Sequence, residues 1–299
     1  MEKLDDLKKL IDTNNKAKLV IVSAEEENVL EAVSAAYEDG FIEPILVGNK
    51  NLIEKIILKN NLKLKNVEVI EANNFEKSAE KSVKIISEGR GDFLIKGLVD
   101  TSILLKAVLN KDWGLRTGKQ LSHVMLYEIP NYHKLLMLTD GGMVTYPDLD
   151  TKIELINNAY EAAKNLNYKE FRVACLAAKE KLNKKMQATI DGYELKEKYK
   201  KGEFEDGIII EGPIALDIAI SKEAAEIKKF ESPVAGEADL LLAHNIEMGN
   251  GIGKAITYFG KGIGAGVVMG AKAPIVLVSR ADDFKSKYYS IIFGSVVAK

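Results

Sequence analysis

The sequence predicts an α/β protein built on doubly wound parallel sheets. Short apolar runs alternate along the chain with longer amphipathic segments, as strands alternate with helices. Four such strand–helix pairs follow one another before residue 110, and neighbouring parallel strands need a crossover between them. The 299 residues, 46% of them hydrophobic, are enough for the cores of two domains of ordinary size.

The first pair shows how each element is predicted. The run KLVIVS at residues 18–23 is short and apolar, as a buried strand is. A helix is predicted over 25–39, because its apolar side chains from Val29 to Ala36 share one face and Gly40 stands where a helix ends. The next pairs are predicted at 44–47 and 52–59, 67–71 and 75–88, and 93–96 and 102–109.

The alternation of short apolar runs with amphipathic segments is interrupted between Lys111 and Asp150. Two apolar runs, at 123–128 and 134–139, are joined by only a short segment, which favours an antiparallel pair. Alternation then resumes and continues to residue 297. The later strands are predicted at 171–177, 207–211, 239–243, 266–269 and 274–278, and the later helices at 152–164, 193–200, 216–229, 252–259 and 283–297.

Composition and charge exclude several classes of protein. With 42 basic and 44 acidic side chains the formal charge is -2, whereas a nucleic-acid binder normally carries a basic excess. Lys272 interrupts the longest apolar run before it reaches the ~18–20 residues that span a bilayer, and the charged N-terminus is unlike a signal peptide. The single cysteine, Cys175, excludes an intramolecular disulfide and is expected to be a buried, inert thiol. We expect a cytoplasmic protein with no nucleic-acid and no membrane partner.

The glycines between Gly249 and Gly270 do not form a known nucleotide motif. Starting from Gly249 or Gly262, the third glycine of the dinucleotide fingerprint is missing. Ala255 stands where a P-loop needs a serine or threonine after its lysine. The three histidines are far apart and in no metal-ligand spacing, so we expect structural roles for them and no metal site.

Ligands of doubly wound sheets bind beyond the carboxyl ends of the strands, and two segments early in the chain fit this rule. After the strand at 93–96, Thr101 and Ser102 begin a helix, where hydroxyls and free N–H groups can bind an anion or simply cap the helix. Lys96 and Lys106 would supply positive charge. Arg116, in a loop bounded by glycines, is suited to phosphate or is a solvated surface charge.

Two later strand ends are polar and rich in glycine. The strand at 134–139 runs into Asp140, Gly141 and Gly142, which form a tight turn or allow a ligand to approach the backbone closely. The strand at 239–243 runs into a polar loop before a helix. The candidate binding residues of this loop and helix are Asn245, Gly249, Asn250 and Lys254.

The last strand end has the sharpest grouping of polar side chains. Ser279, Arg280, Asp282 and Asp283 follow the strand at 274–278 and open the last helix. One aspartate is accounted for as a helix N-cap, but this leaves the serine and the arginine without a structural reason. We therefore predict a functional site at these four residues.

Together these segments resemble the phosphate acyltransferase family over about residues 18–299. No single motif is diagnostic, but their joint order and spacing are specific. The matching stretches are KGLVDTSILLKAVL (96–109), GLRTGKQLSHV (114–124), TDGGM (139–143), EGPIALDIAISKEAA (211–225), SPVAGEADLLLAHNIEMGN (232–250) and GAKAPIVLVSRADDFKSKYYSI (270–291).

The resemblance implies two doubly wound α/β domains flanking a cleft, as in isocitrate and isopropylmalate dehydrogenases. One domain would comprise residues 1–127 and 262–299, and the other, 128–261, would contribute to the cleft and to the interface of a homodimer or larger homo-oligomer. The family transfers an acyl group between coenzyme A and inorganic phosphate in a ternary complex, without a metal or other cofactor. It also implies metabolic coupling to an acyl kinase, here butyrate kinase.

The resemblance also implies roles for single residues. The family's serine and arginine at the last strand end match Ser279 and Arg280, so the resemblance implies that the catalytic group is Ser279, Arg280, Asp282 and Asp283. Acetyl-transferring relatives have a proposed base six residues beyond that arginine, where this chain has a serine, so Asp282 and Asp283 are the nearest carboxylates. Those relatives also have an arginine at the position of Lys106 and a cysteine in place of the TDGG run. These departures favour butyryl as the acyl group.

Three other functions are left open by the sequence. The same chemistry could act on acetyl-CoA, on a branched-chain acyl-CoA or on an acyl carrier protein. A dehydrogenase of the same fold would lack the dinucleotide fingerprint too, but no aspartate cluster suited to a divalent metal is evident. A non-catalytic regulator that binds acyl-CoA is the third alternative.

Overall fold

The structure, a computed structural model, describes residues 1–278 and 282–298. The strands are β1 (Ala17–Val22), β2 (Ile42–Gly48), β3 (Glu68–Glu71), β4 (Phe93–Lys96), β5 (Ser122–Glu128), β6 (Leu136–Thr139), β7 (Phe171–Leu176), β8 (Ile208–Ile214), β9 (Leu240–Leu242), β10 (Ile263–Met269) and β11 (Ile275–Val276). The helices are α1 (Glu27–Glu38), α2 (Lys50–Lys59), α3 (Phe75–Ser87), α4 (Thr101–Val108), α5 (Leu149–Asn165), α6 (Gln187–Lys200), α7 (Leu216–Ile220), α8 (Lys222–Ile227), α9 (Ile246–Tyr258) and α10 (Phe284–Val297), preceded by a 3-10 helix over Leu4–Leu10.

The chain divides into two compact units. The first unit comprises residues 4–119 and 264–299, and the second comprises residues 1–3 and 120–263. The domain boundaries expected from the sequence stay a prediction, because units defined by contacts are not necessarily folding domains. Among the described residues, no helix is both long and apolar enough to cross a lipid bilayer.

In the first unit the strands run in the order β3-β2-β1-β4-β11-β10. The pairs from β3 to β11 are parallel and β10 runs antiparallel to β11, so the predicted parallel sheet is confirmed. Residues 19–22 of β1 are fully buried, and α1 buries the predicted apolar face, including Val29, Leu30, Val33 and Ala36. These strands are continuous apolar runs in the sequence because both faces of a parallel sheet are covered.

In the second unit the strands run in the order β5-β6-β9-β7-β8. The pair β5–β6 is antiparallel as predicted, and the other pairs are parallel. The carboxyl ends of β6, β7 and β9 therefore meet at one edge, where the chain enters Asp140, Ala177 and Ala243. This edge carries the candidate binding residues that the sequence predicts after β6 and β9.

The helix predicted over 216–229 is divided into α7 and α8. Ser221 lies between them with an extended backbone, and its Oγ accepts a hydrogen bond from the N–H of Ala224 at 3.2 Å. A serine in this conformation caps the helix that follows it. The apolar periodicity continues through Ser221, which is why the sequence pattern did not show the break.

The helix predicted to begin at residue 252 begins at Ile246, so the segment expected to be a loop forms the first turns of α9. Asn245 caps this helix, since its Oδ1 accepts from the N–H of Met248 at 3.0 Å. The glycines inside α9 disfavour a helix by roughly 1 kcal/mol each, which explains the wrong boundary. Gly249 is there because a Cβ at this position would lie 2.2 Å from the carbonyl oxygen of Asp140.

Two glycines of α9 give opposite predictions. Gly249→Ala is expected to destabilise the protein by about 2–3 kcal/mol. The added Cβ would lie 2.2 Å from the backbone carbonyl oxygen of Asp140, and rotation of a side chain cannot relieve this overlap. Gly251→Ala is the matched control: a Cβ there meets no atom within 4 Å, so the substitution should stabilise the helix by about 0.5–1 kcal/mol. Urea unfolding of both variants measures the difference. Equal effects of the two substitutions would contradict the close approach at Gly249.

Candidate functional site

Lys96 lies at the carboxyl end of β4 and is buried. Its Nζ donates hydrogen bonds to the carbonyl oxygens of Gly97 and Val99, both at 3.2 Å. Gly97 is packed so closely that a Cβ would lie 2.2 Å from the carbonyl oxygen of Ser23, in the loop after β1. The ammonium predicted to bind substrate therefore also holds the loop that follows its own strand.

The start of α4 presents Thr101 and Ser102 as its first two residues, with exposed side chains. Asp100 occupies the N-cap position, so neither hydroxyl serves as the cap. Free N–H groups and hydroxyls at such a position can bind an anion. Lys106 is exposed in the last turn of the same helix.

The loop that carries Arg116 is held by its neighbours on both sides. Leu115 is buried and its carbonyl accepts from the N–H of Lys272 at 2.8 Å, while the hydroxyl of Thr117 donates to the carbonyl of Gly270. Arg116 itself is exposed, and its guanidinium forms no ion pair within residues 1–278 and 282–298. It is a positive charge that an anionic ligand can use.

The predicted catalytic group is described in part. Ser279 and Arg280 lie outside the described residues. Asp283 caps α10, because its Oδ1 accepts from the N–H of Ser286 at 2.8 Å, as expected for one of the two aspartates. Asp282 is half-buried, and its carbonyl oxygen accepts a hydrogen bond from the Nζ of Lys287.

Lys287 is a buried cation that the sequence analysis did not identify. Its side chain is 2% exposed, and it lies on α10 one turn after the cap. Lysine is rarely buried without a specific partner. A lysine four residues after a capping aspartate was the available signal.

Asp140 organises the turn after β6. Its Oδ2 accepts from the backbone N–H of His123 at 2.8 Å, and its Oδ1 accepts from the N–H groups of Gly142 and Met143 at 2.7 Å. The carboxylate is nearly fully buried. These three hydrogen bonds support the tight-turn interpretation of this segment, and a contact with substrate stays a prediction.

The turn after β6 packs against the start of α9. The Nδ2 of Asn250 donates to the carbonyl oxygen of Gly141 at 3.1 Å, and a Cβ on Gly141 would lie 2.7 Å from the carbonyl carbon of Gly249. The glycines thus allow one backbone to approach another. Lys254 is exposed one turn later on α9. The structure therefore brings together the candidate binding residues of the second unit.

A buried ionic cluster at the same edge was missed by the sequence analysis. The Nζ of Lys152, on α5, contacts Oδ2 of Asp191 on α6 and lies 2.9 Å from Nδ1 of His244, which follows β9. The Lys152 side chain is only 2% exposed. Burial, and then the Lys152 ammonium, lower the pKa of His244 below its ordinary value, while Asp191 opposes the shift.

Cys175 lies beside this cluster near the end of β7. It lines a small cavity together with Lys152, Asp191 and His244. Burial raises the pKa of its thiol well above the ordinary value, so the thiolate is not formed near neutral pH. The predicted burial of Cys175 is confirmed, and its raised pKa agrees with an inert thiol.

Comparison with known proteins identifies the fold and the family. A phosphate butyryltransferase of Clostridium beijerinckii is 42% identical over 281 residues, covering 94% of this chain and 93% of the relative. A crystal structure of a branched-chain phosphotransacylase from Enterococcus faecalis superposes with a TM-score of 0.84 at 29% identity, covering 94% and 99% of the two chains.

A 4-hydroxythreonine-4-phosphate dehydrogenase from Klebsiella pneumoniae shares the fold at a TM-score of 0.56 and 11% identity, covering 95% and 100%. The predicted dehydrogenase-like α/β architecture is therefore confirmed. The family described as phosphate acetyl/butaryl transferase matches residues 3–84 and 73–294. The chain belongs to this phosphate acetyl/butaryl transferase family of acyltransferases.

Proposed function

We propose that this protein is a cytoplasmic enzyme that transfers a butyryl group between coenzyme A and inorganic phosphate. Family membership over nearly the whole chain is the observation that carries the proposal. The described residues add support, because phosphate and coenzyme A are both anionic and Arg116, Lys106 and Lys254 offer exposed positive charge at the predicted binding segments. We further propose that no metal or other cofactor takes part.

In the proposed step, a phosphate oxygen attacks the carbonyl carbon of the thioester. A carbon–oxygen bond forms, the carbon–sulfur bond breaks, and the sulfur leaves as coenzyme A, which takes up a proton. Arg280 would hold the phosphate, and Ser279 would donate a hydrogen bond to the carbonyl oxygen as it gains negative charge. Alignment of the two substrates would supply much of the rate.

We propose that the carboxylate of Asp282 or Asp283, the two nearest to Arg280 in the sequence, transfers the proton at sulfur. The Asp283 carboxylate already accepts a hydrogen bond as the N-cap of α10. The backbone carbonyl oxygen of Asp282 accepts a hydrogen bond from Lys287. In the reverse direction the thiol, with an ordinary pKa of about 8.5, needs a base, and one of these two carboxylates would serve.

The acyl group is tested by release of coenzyme A thiol. Acetyl-, butyryl-, isobutyryl- and isovaleryl-CoA are compared at saturating phosphate, with acyl carrier protein thioester as a further substrate. We expect the highest kcat/KM for butyryl-CoA. Preference for the isobutyryl or isovaleryl thioester would favour the branched-chain alternative, which the name of the Enterococcus relative suggests. No release with any thioester would overturn the proposal.

The same assay tests the proposed absence of a metal requirement. The sequence offers no ligand set in a metal-binding spacing, so full activity should persist after exhaustive treatment with EDTA. Activity measured before chelation is the control. A loss that magnesium or manganese restores would contradict this prediction and favour the dehydrogenase-like alternative.

Arg280 is expected to be essential for the phosphate step. Arg280→Lys and Arg280→Ala should fold and lose at least ~30-fold in kcat/KM for phosphate, because loss of a bidentate charge-assisted contact costs about 2–4 kcal/mol. The loss should appear in kcat and in the KM for phosphate more than in the KM for acyl-CoA. Ser279→Ala should lower kcat with little change in the KM for phosphate.

Arg90→Lys is the matched control for Arg280, since Arg90 is an exposed arginine that pairs with Glu68 and Glu88 on the surface. It should leave all kinetic constants within experimental error of the wild type. Near-normal turnover of Arg280→Ala at saturating phosphate would show that the catalytic group lies elsewhere.

We propose a homodimer or larger homo-oligomer formed through the second unit, coupled in metabolism to butyrate kinase. Near the end of α9, Phe259 is 90% exposed and Tyr258 is 67% exposed. Adjacent exposed aromatic side chains are typical of interfaces. Phe259→Ser combined with Tyr258→Ser should shift the mass in light scattering toward the monomer, whereas Leu58→Ser, at an exposed position on α2 of the first unit, should not. A monomeric wild type would contradict the proposal.

A further inference from the structure

We propose that His244 binds an oxygen atom of a substrate through its Nε2–H group, and that Lys152 and Asp191 hold the ring in the tautomer that this requires. The inference rests on the proposed function, since it adds a substrate-binding residue to that reaction. The acceptor would be an oxygen of phosphate or the carbonyl oxygen of the acyl group.

Hydrogen bonds fix the positions of Lys152 and Asp191 in this cluster. Lys152 donates to Oδ2 of Asp191, and Oδ1 of the same carboxylate accepts from Nε2 of Gln187 at 2.7 Å. Both oxygens of Asp191 are therefore engaged, and its side chain is 8% exposed. An ion pair buried in this way has a fixed geometry.

The contact with Lys152 determines which ring nitrogen of His244 carries the proton. Its Nδ1 lies 2.9 Å from Nζ of Lys152, and an ammonium group can only donate. Nδ1 must therefore be the unprotonated nitrogen, and in a neutral ring the proton is on Nε2. A second proton on the ring would face the Lys152 ammonium, which agrees with the lowered pKa of His244.

The Nε2–H group of His244 is accessible to a ligand. The His244 side chain is 25% exposed, and among residues 1–278 and 282–298 no hydrogen bond reaches Nε2. His244 directly follows β9 and directly precedes Asn245, the cap of α9. This is the carboxyl edge of the sheet, where doubly wound folds bind their ligands. Binding sites use buried partners in this way to orient the side chain that contacts the ligand.

The kinetic test compares two replacements at one position. His244→Phe keeps the ring shape but has no donor, so kcat/KM should fall about 10- to 100-fold. His244→Gln retains an N–H group near the position of Nε2 and should stay within about fivefold of the wild type. His133→Gln is the control, because that histidine is exposed and pairs with Glu237. It should have no effect.

The two sources of the acceptor oxygen are separated by which KM rises. A higher KM for phosphate in His244→Phe identifies phosphate, and a higher KM for acyl-CoA identifies the thioester. Equal losses in the Phe and Gln variants would indicate a purely structural ring and overturn the inference. Should the Phe variant fail to fold, the wild-type spectroscopy below decides.

The spectroscopic test uses the full chain with labelled histidine. Long-range proton–nitrogen correlations at neutral pH should show the proton of His244 on Nε2, and addition of inorganic phosphate or butyryl-CoA should shift that nitrogen. A proton on Nδ1, or no shift with either compound, would overturn the inference. This readout does not depend on turnover, so an enzyme inactive toward every acyl-CoA would refute the proposed function and still leave His244 testable.

Discussion

In each unit, the carboxyl ends of the strands depend on the close approach of one backbone to another. In the first unit the approach is between Gly97 and the carbonyl of Ser23, and in the second it is between Gly249 and the carbonyl of Asp140. A Cβ at either glycine would overlap an oxygen atom, so the two backbone segments at each edge can meet only where no side chain stands between them. The first contact lies just before α4 and the second lies in the first turn of α9, so both contacts position the polar residues at the starts of these helices.

Much of the architecture was predictable because its signals are local. Apolar runs such as that of β1 and one-sided helices such as α1 are read from periodicity, and each predicted strand overlaps an observed one. The boundary of α9 was not predictable from propensity, since its glycines argue against a helix. Their reason is a tertiary contact with Asp140, which lies more than a hundred residues earlier in the chain.

The candidate site, like the fold, was predictable from the sequence only in part. The strand-end rule identified Lys96, Asp140 and Asn245 as polar residues at the expected edges, but it could not show that each also bonds to the backbone of its own loop. The cluster of Lys152, Asp191 and His244 had no sequence signal. Its members are separated by 39 and 92 residues and meet only when β9 is placed beside β7 and their helices pack on the sheet.

The hydrogen bonds of Lys96 have a consequence for the entropy of ligand binding. An exposed arginine or lysine loses roughly 1–2 kcal/mol of rotamer freedom when a ligand immobilises it. Arg116 would incur that loss on binding an anion, because its side chain is exposed and forms no ion pair within the described ranges. Lys96 has already lost this freedom on folding, since its ammonium is buried and tied to two carbonyls. Its charge is pre-organised, so the same contact made through Lys96 would contribute more to affinity than one made through Arg116.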